Sequence, residues 1–197
     1  NLRWIAYFGQ LITVLIVQFL LGFKFNYIIC IFIIIISAIL NLYLQIRVKS
    51  NLLNNFYSTL YLIFDISQLS ILLFFTGGIT NPFVFLIIVP AVFCSQYLHF
   101  ISSIILVVLI TIILIILTFF SYDLPHPGEL HFHAPEYYLY AIPISIIIGL
   151  VFLVYFGFKF GSESRIRKKA YDKIQELMAK ENELLSLGGQ AAAAAHS

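Results

Sequence analysis

Residues 76–83 read Thr-Gly-Gly-Ile-Thr-Asn-Pro-Phe and separate two long apolar segments of the chain. Two consecutive glycines allow a helix to end in the left-handed backbone conformation that other residues avoid. Asn81 is a favourable N-cap and Pro82 a favourable first helical residue, so a second helix is predicted to begin at once. The stretch therefore predicts a tight polar turn between two membrane helices, at a membrane face.

The start of that second helix also suggests a ligand site. Its unpaired N–H groups and the positive end of its dipole are expected to face a shallow site just inside the bilayer. Such a site suits a neutral acceptor such as a quinone carbonyl, with Phe83 available for ring contact. From the spacing alone, however, a well-capped helical hairpin without a ligand is the favoured interpretation, because short helix–helix connections are ordinary.

The composition identifies an integral membrane protein. The chain is 61% hydrophobic and 10% charged, with a mean hydropathy of +1.01, far from the averages of soluble domains. Its apolar runs are long enough to cross a hydrocarbon core of about 30 Å. The predicted fold is all-α, with transmembrane helices followed by a cytoplasmic coiled-coil-like helix. The six predicted spans are 4–23, 27–46, 54–76, 82–98, 101–120 and 137–158.

The fourth span is the shortest and has Pro90 in its interior, so it is expected to kink. Residues 82–120 are too long for a single crossing, and His99 marks the predicted division between the fourth and fifth spans.

The basic residues predict the orientation of the spans. With the N-terminus inside, only Lys24 lies outside, both termini are cytoplasmic, and the turn at 76–83 faces outward. The predicted cytoplasmic flanks are Arg3, Arg47, Lys49, Lys159, Arg165, Arg167, Lys168 and Lys169. Because the basic residues cluster at membrane flanks and the net charge is +2, no nucleic-acid partner is expected.

Asp65 is the one acidic residue within a predicted span, where a charge costs about 2.5–3.5 kcal/mol on insertion scales. Gln68 shares its helix face. The favoured interpretation is an interhelical polar contact, with Gln10 or Thr13 as candidate partners; the alternative is a proton-coupled site deep in the membrane. At about 1.5 Å per residue, Asp65 lies about 18 Å from Gly77, too far to touch a head group at the turn.

Other polar side chains give weaker signals. Cys30 and Cys94 fall inside apolar spans and are expected to act as small hydrophobes. The loop 121–136 contains His131 and His133, which could bind zinc, but no supporting ligand spacing accompanies them. No metal site is therefore predicted.

After the last span, residues 161–187 are charged and favour a helix. A seam with alternating steps of four and three residues is typical of a coiled coil, weak at two of its positions. The seam favours a parallel homodimer that carries a change from membrane to cytoplasm, and the alternative is a solitary amphipathic helix. Its positions are Ala170, Ile174, Leu177, Glu181, Leu184, Gly188, Ala191 and Ala195.

The chain ends with an alanine-rich stretch before His196 and Ser197. This ending resembles the start of the H-box of sensor histidine kinases of the RegB/PrrB (ActS-like) redox-responsive family. Residues 77–83 match the family's G-G-x-x-N-P-F motif, which is associated with ubiquinone binding. Asp65, Gln68 and residues 72–78 resemble its third span, and Arg3, Trp4, Gly9, Gln10 and Thr13 resemble its opening.

The resemblance implies three segments: 1–160 as a quinone-sensing transmembrane domain, 161–187 as a linker helix, and 188–197 as the truncated start of the phosphoacceptor helix. It implies ubiquinone as regulatory ligand, with Gly77, Gly78, Asn81, Pro82 and Phe83 as the binding motif. Oxidised quinone would favour an inactive kinase, which requires different affinities for the two states.

By the same resemblance His196 is the phosphoacceptor, attacking the γ-phosphate of ATP and passing the phosphoryl group to a response regulator. Mg and ATP would bind in the full-length protein, outside this excerpt, which should be inactive alone. The implied location is the bacterial inner membrane, as a homodimer in lipid. The chain, which starts at Asn1 and has Met178 as its only methionine, is expected to be an excerpt of that protein.

Two departures from the family pattern are visible. Ser197 stands where the family more often has Glu, and residues 159–197 contain no counterpart of its redox-active cysteine. The alternative function is half of a secondary transporter, favoured by Asp65 and Pro90, because six-span repeats are common in transporters. The charged helix and the Ala-His ending favour the sensor.

Overall fold

The computed structural model describes residues 2–47, 55–126 and 135–195, and within these ranges it contains helices and no strand. The all-α class is therefore confirmed. The α-helices are α1 (Leu2–Leu15, continued by a π-helical turn at Ile16–Leu20), α2 (Tyr27–Arg47), α3 (Asn55–Phe74), α4 (Val89–Tyr97), α5 (Phe100–Phe119) and α6 (Glu136–Ala195). Two 3-10 helices, Gly78–Thr80 and Pro82–Ile88, lie between α3 and α4.

The described helices correspond to the predicted spans, with one difference. Five of them are long and apolar enough to cross a membrane, whereas the fourth predicted span is a shorter apolar helix, Pro82–Tyr97. Its first seven residues form a 3-10 helix, which rises about 2.0 Å per residue rather than 1.5 Å. The whole segment is therefore about 28 Å long instead of about 24 Å, close to the thickness of a hydrocarbon core. Six crossings stay a prediction.

Pro90 gives a physical reason for the 3-10 geometry. Proline has no N–H group, and in an α-helix its ring would clash with the carbonyl four residues earlier, here that of Leu86. In the structure the Leu86 carbonyl accepts instead from Val89 N, three residues on. The helix changes from 3-10 to α geometry at the start of α4, beside Pro90. The kink itself stays a prediction.

The helices enclose two apolar clusters. The larger one joins α3, the Pro82–Ile88 helix, α4, α5 and α6, and Ile110 and Leu150 are fully enclosed in it. The smaller one joins α1, α2 and α3 around Tyr7 and Ile34. Because α3 contributes to both, it connects the first two helices to the rest of the bundle. The outer surfaces of the helices are rich in exposed large apolar side chains, as expected where lipid is the solvent.

The last helix runs without interruption from the membrane bundle to Ala195. α6 has 60 residues and tolerates Pro143 in its interior, so at 1.5 Å per residue it is about 90 Å long. The predicted segment boundaries at 160/161 and 187/188 both lie inside this single helix. Side chains from Glu163 to Leu187 are exposed, which leaves this part of the predicted seam open to a second chain. The coiled coil stays a prediction.

Candidate functional site

The turn between α3 and the Pro82–Ile88 helix, called the hinge below (residues 75–83), requires its two glycines. Gly77 has φ +111° and Gly78 has φ +54°, values that side chains other than hydrogen rarely allow. Space is also lacking: a Cβ at Gly77 would lie 2.6 Å from Leu124 Cδ1, and one at Gly78 would lie 2.8 Å from the Leu117 carbonyl oxygen and overlap Ser121. The chain after α5 therefore packs directly on the hinge.

Asn81 caps the helix as predicted and also forms hydrogen bonds to Thr76 across the hinge. Its Oδ1 accepts from Phe83 N at 2.9 Å, while its Nδ2 donates to the carbonyl oxygen and the hydroxyl of Thr76, at 2.8 and 2.9 Å. The side chain is 9% exposed. All its donors and its acceptor are thus used inside the hinge, which gives Asn81 a structural role.

The expected unpaired N–H groups at the start of the second helix are not found there. Phe83 N donates to the Asn81 side chain and Val84 N to the Asn81 carbonyl at 3.0 Å, while Pro82 has no N–H. The prediction was wrong because the cap that begins the helix consumes the donors that a ligand would need. Of the five motif residues, Gly77, Gly78 and Asn81 are buried, and Pro82 and Phe83 are exposed.

Aromatic rings adjoin the hinge in a way that the sequence motif did not reveal. Tyr122, in the chain after α5, stacks on Phe75 with 5.4 Å between ring centroids and meets Phe74 edge-on at 5.7 Å. Its N–H donates to the Phe74 carbonyl at 3.0 Å. Phe74 and Phe75 immediately precede the motif, but Tyr122 is distant in sequence. The hinge end therefore offers ring faces at Tyr122 and Phe83.

Asp65 is paired with Arg3 of α1 and not with the predicted partners Gln10 or Thr13. Arg3 Nε lies 2.9 Å from Asp65 Oδ2, and the guanidinium lies over the Tyr61 ring at 5.1 Å. Arg3 also approaches Asn41 Oδ1 at 3.5 Å. The start of α1 thus lies beside the interior of α3, where the two opposite charges neutralise each other. The flanking position of Arg3 stays a prediction.

Gln68 also contacts α1, through Gln10. Its Nε2 donates to Gln10 Oε1 at 3.0 Å. The interhelical polar contact predicted for this face of α3 is thus present, but Asp65 uses Arg3, while Thr13 donates to its own helix at Gly9 O. Among the described residues, the buried side-chain atoms without a hydrogen-bond partner are Tyr7 Oη, Gln18 Oε1 and Asp65 Oδ1.

The remaining candidates form no site in the part of the chain that the structure describes. Cys30 and Cys94 are free, buried, and belong to different apolar clusters. No group of three potential metal ligands occurs among the described residues, and His131 and His133 lie outside them. His196 also lies outside the described residues, immediately after the end of α6.

At the opposite end of α4 from the hinge, α4 and α6 approach each other at backbone distance. A Cβ at Gly157 would overlap Ser95 Oγ, and one at Gly161 would lie 2.9 Å from Gln96 Cα. Arg165 Nη1 donates to the Gln96 carbonyl at 2.8 Å. The spacing Gly157-x-x-x-Gly161 is the small-residue signal that could have identified this contact from sequence.

Comparison with known proteins agrees with the resemblance seen in the motifs. No family model matches the chain, and no solved structure matches it. The chain is similar to the sensor histidine kinase RegB of Cereibacter sphaeroides, with 31% identity over 196 residues. The match covers 99% of this chain and 42% of that protein, so the chain spans about two fifths of the relative's length. Along almost its whole length, therefore, this chain is similar to a RegB sensor histidine kinase, in agreement with the resemblance carried by its hinge and H-box motifs.

Proposed function

We propose that this chain is the membrane sensor portion of a two-component histidine kinase that binds ubiquinone at the hinge. Occupancy of the hinge controls autophosphorylation of His196 and transfer of the phosphoryl group to a response regulator. Similarity to a sensor histidine kinase over nearly the full chain is the observation that carries the proposal. The unbroken α6, which leads from the bundle to the residue before His196, supports it.

Ring contacts rather than hydrogen bonds to Asn81 are the proposed basis of quinone binding. Phe83 is 45% exposed and Tyr122 is 54% exposed, so both have ring area available for an offset-stacked quinone head group. Tyr122 also has a phenol hydroxyl that can donate to a quinone carbonyl. Gly77, Gly78 and Asn81 contribute by holding the hinge in shape.

The proposed orientation keeps both termini in the cytoplasm of a bacterial inner membrane. It rests on Arg47, Lys49 and the basic residues 159–169 on one side, with Lys24 on the other. Lys24 N donates to the His126 carbonyl at 3.5 Å, which brings its loop to the hinge end of the bundle. The exposed seam of α6 is the proposed surface of a parallel homodimer.

The alternative of a transporter half loses its main support. It depended on Asp65 as an intramembrane charge at a substrate or ion site, and Asp65 is paired with Arg3 at 2.9 Å. A carboxylate already neutralised by a residue of a neighbouring helix is less suited to bind a cation.

Ubiquinone binding is best tested with a photoreactive ubiquinone analogue and the chain in lipid nanodiscs. We expect saturable labelling of the hinge end, identified by mass spectrometry and displaced by excess ubiquinone. Phe83→Ala should weaken binding by about three- to tenfold, since an aromatic contact contributes about 0.5–1.5 kcal/mol.

Phe85→Ala is the matched control. Phe85 is 54% exposed on the same 3-10 helix, but residues two apart in such a helix are separated by about 120° around its axis, so it lies on a different side from Phe83. This variant should bind within about twofold of the original chain. Equal losses in both variants, or labelling that ubiquinone does not displace, would contradict a quinone site at the hinge.

A further inference from the structure

The segment 82–97 has two ends with different attachments. Its first residues are continuous with the hinge, where Asn81 bonds Phe83 N. Its last turn rests on α6 through Ser95 and Gln96. A movement of the hinge along this segment therefore reaches α6 directly, without passing through another helix.

The contact at the far end is suited to transmit a displacement. Gly157, Gly161 and Arg165 are spaced four residues apart, so they lie along one side of α6. The two glycines let the last turn of α4 approach the backbone of α6 directly. Because they have no side chains that could rearrange, a shift of α4 is expected to move the backbone of α6. Arg165 bonds the Gln96 carbonyl, one of the carbonyls that a helix end leaves without an internal partner.

The segment also contains an element that can change length. The 3-10 helix Pro82–Ile88 has seven residues, whereas such runs longer than about three or four residues are uncommon and often mark hinges. Conversion of these residues to α geometry would shorten the segment by about 3.5 Å. Because Val84 and Ile87 are buried in the apolar core, such a change would also turn their side chains in the bundle.

We propose that Pro82–Ile88 is a length-changing strut, and that the contact of Ser95 and Gln96 with Gly157, Gly161 and Arg165 is the surface through which the hinge moves α6. The inference deepens the proposed function, on which it rests for the identity of the ligand. When a ligand binds at the hinge, the number of strut residues in 3-10 rather than α-helical geometry changes, and with it the length of the strut. The displaced Gln96 then shifts α6 and the cytoplasmic helix that continues from it.

The first test measures the strut without ligand or kinase. Spin labels are attached at Phe83→Cys, at the hinge end of the strut, and at Tyr97→Cys, at the far end of α4. Both positions are exposed, whereas the two native cysteines are buried. The distance between the labels, measured in nanodiscs, reports the length of the strut because it spans from one end of the segment to the other.

Pro90→Ala restores an N–H group for an α-helical turn and should change this distance by about 2–4 Å. Pro143→Ala is the control for removing a proline from a helix and should leave the distance unchanged. An unchanged distance in a folded Pro90→Ala chain would overturn the strut.

The second test uses the full-length kinase. Arg165→Gln should bind the ubiquinone analogue within about twofold of the original protein, while the response of its autophosphorylation to the analogue falls by about fivefold. Arg167→Gln, which removes an exposed 3.7 Å pair with Glu163, should keep both the binding of the analogue and the response of autophosphorylation to it. A normal response in Arg165→Gln would overturn the coupling surface.

A double-mutant comparison separates this inference from the proposed ligand. Pro90→Ala should shift basal autophosphorylation by about threefold, and the shift should largely disappear when Arg165→Gln is present. If the original protein binds no quinone, the proposed ligand is wrong, but this comparison still tests the coupling. Independent effects of the two substitutions would contradict it.

Discussion

Arg3 Nε and Asp65 Oδ2 lie 2.9 Å apart and join the start of α1 to the interior of α3. Each partner is the countercharge of the other, and Arg3 also contacts Asn41 and the Tyr61 ring. The pair therefore fixes how deeply α1 sits in the bundle relative to α3, in addition to satisfying two charges.

Removing one member of this pair should destabilise the bundle more than removing both. Arg3→Gln or Asp65→Asn should each lower the free energy of unfolding by about 1–3 kcal/mol, below the loss for fully enclosed pairs, because each partner is partly exposed. The double variant should lose less than either single variant, because it leaves neither charge without its countercharge. Thermal unfolding in detergent measures these effects, and strictly additive losses would show that the two charges do not interact.

Three glycines allow backbone strain and lack of space to be measured separately. Gly9→Ala meets nothing within 4 Å in a helix, Gly22→Ala meets nothing but has φ +66°, and Gly78→Ala combines φ +54° with contacts to Ser121 and Leu117. We expect the first to be neutral or slightly stabilising, the second to cost about 1 kcal/mol and the third more than about 2 kcal/mol. The melting temperature should therefore be highest for Gly9→Ala and lowest for Gly78→Ala. A Gly78→Ala variant as stable as Gly22→Ala would show that Ser121 and Leu117 move aside at little cost.

Asn81 should act through its hydrogen bonds within the hinge. Asn81→Asp keeps an acceptor for Phe83 N but places a carboxylate oxygen against the Thr76 carbonyl, where the amide now donates at 2.8 Å. We expect it to cost at least as much as Asn81→Ala, about 1–3 kcal/mol, because a buried acceptor loses its donor. Unfolding measured with Asn81→Ala, Asn81→Asp and Thr76→Val distinguishes these contributions. A fully stable Asn81→Asp would contradict the assigned donor bonds.

Glu176 predicts a small pH dependence in the charged, exposed part of α6. Its bonds from Lys180 at 2.7 Å and Lys173 at 2.9 Å hold the pKa of Glu176 below its ordinary value of 4.5. Because the folded pKa is the lower one, the stabilisation is present above the unfolded pKa and is lost as the pH falls through the folded value. Helix content followed by circular dichroism should therefore decline with acid more in the original chain than in Glu176→Gln. Added salt should reduce the difference, since the side chains are exposed; a difference that persists in high salt would point to another cause.

The hinge was predictable from sequence because its chemistry is local. Positive φ at Gly77, capping by Asn81 and a first-position proline depend on neighbours in the chain, and all three are found. The same local logic failed for the expected free N–H groups, because it did not count the bonds that the cap itself makes.

The contacts between distant segments were not predictable in the same way. The pairing of Arg3 with Asp65, the stacking of Tyr122 on Phe75 and the bond from Arg165 to Gln96 depend on which helices are neighbours and at what depth. Hydropathy identifies the spans but not their relative height, so the sequence did not show that Arg3 lies beside Asp65. The 3-10 geometry before Pro90 was missed because a proline within a span is equally typical of an ordinary kink.

Because α6 is one continuous helix, the number of residues in it sets the direction in which its last residues face around the helix axis. Each residue turns an α-helix by about 100°, so one residue inserted between Ala170 and Leu184 would redirect everything beyond it by that angle and add about 1.5 Å. Seven inserted residues would restore nearly the original azimuth with about 10 Å of extra length. The number of residues in α6 therefore sets the direction in which its last residues face. An insertion or deletion changes that direction even when every remaining residue still favours a helix.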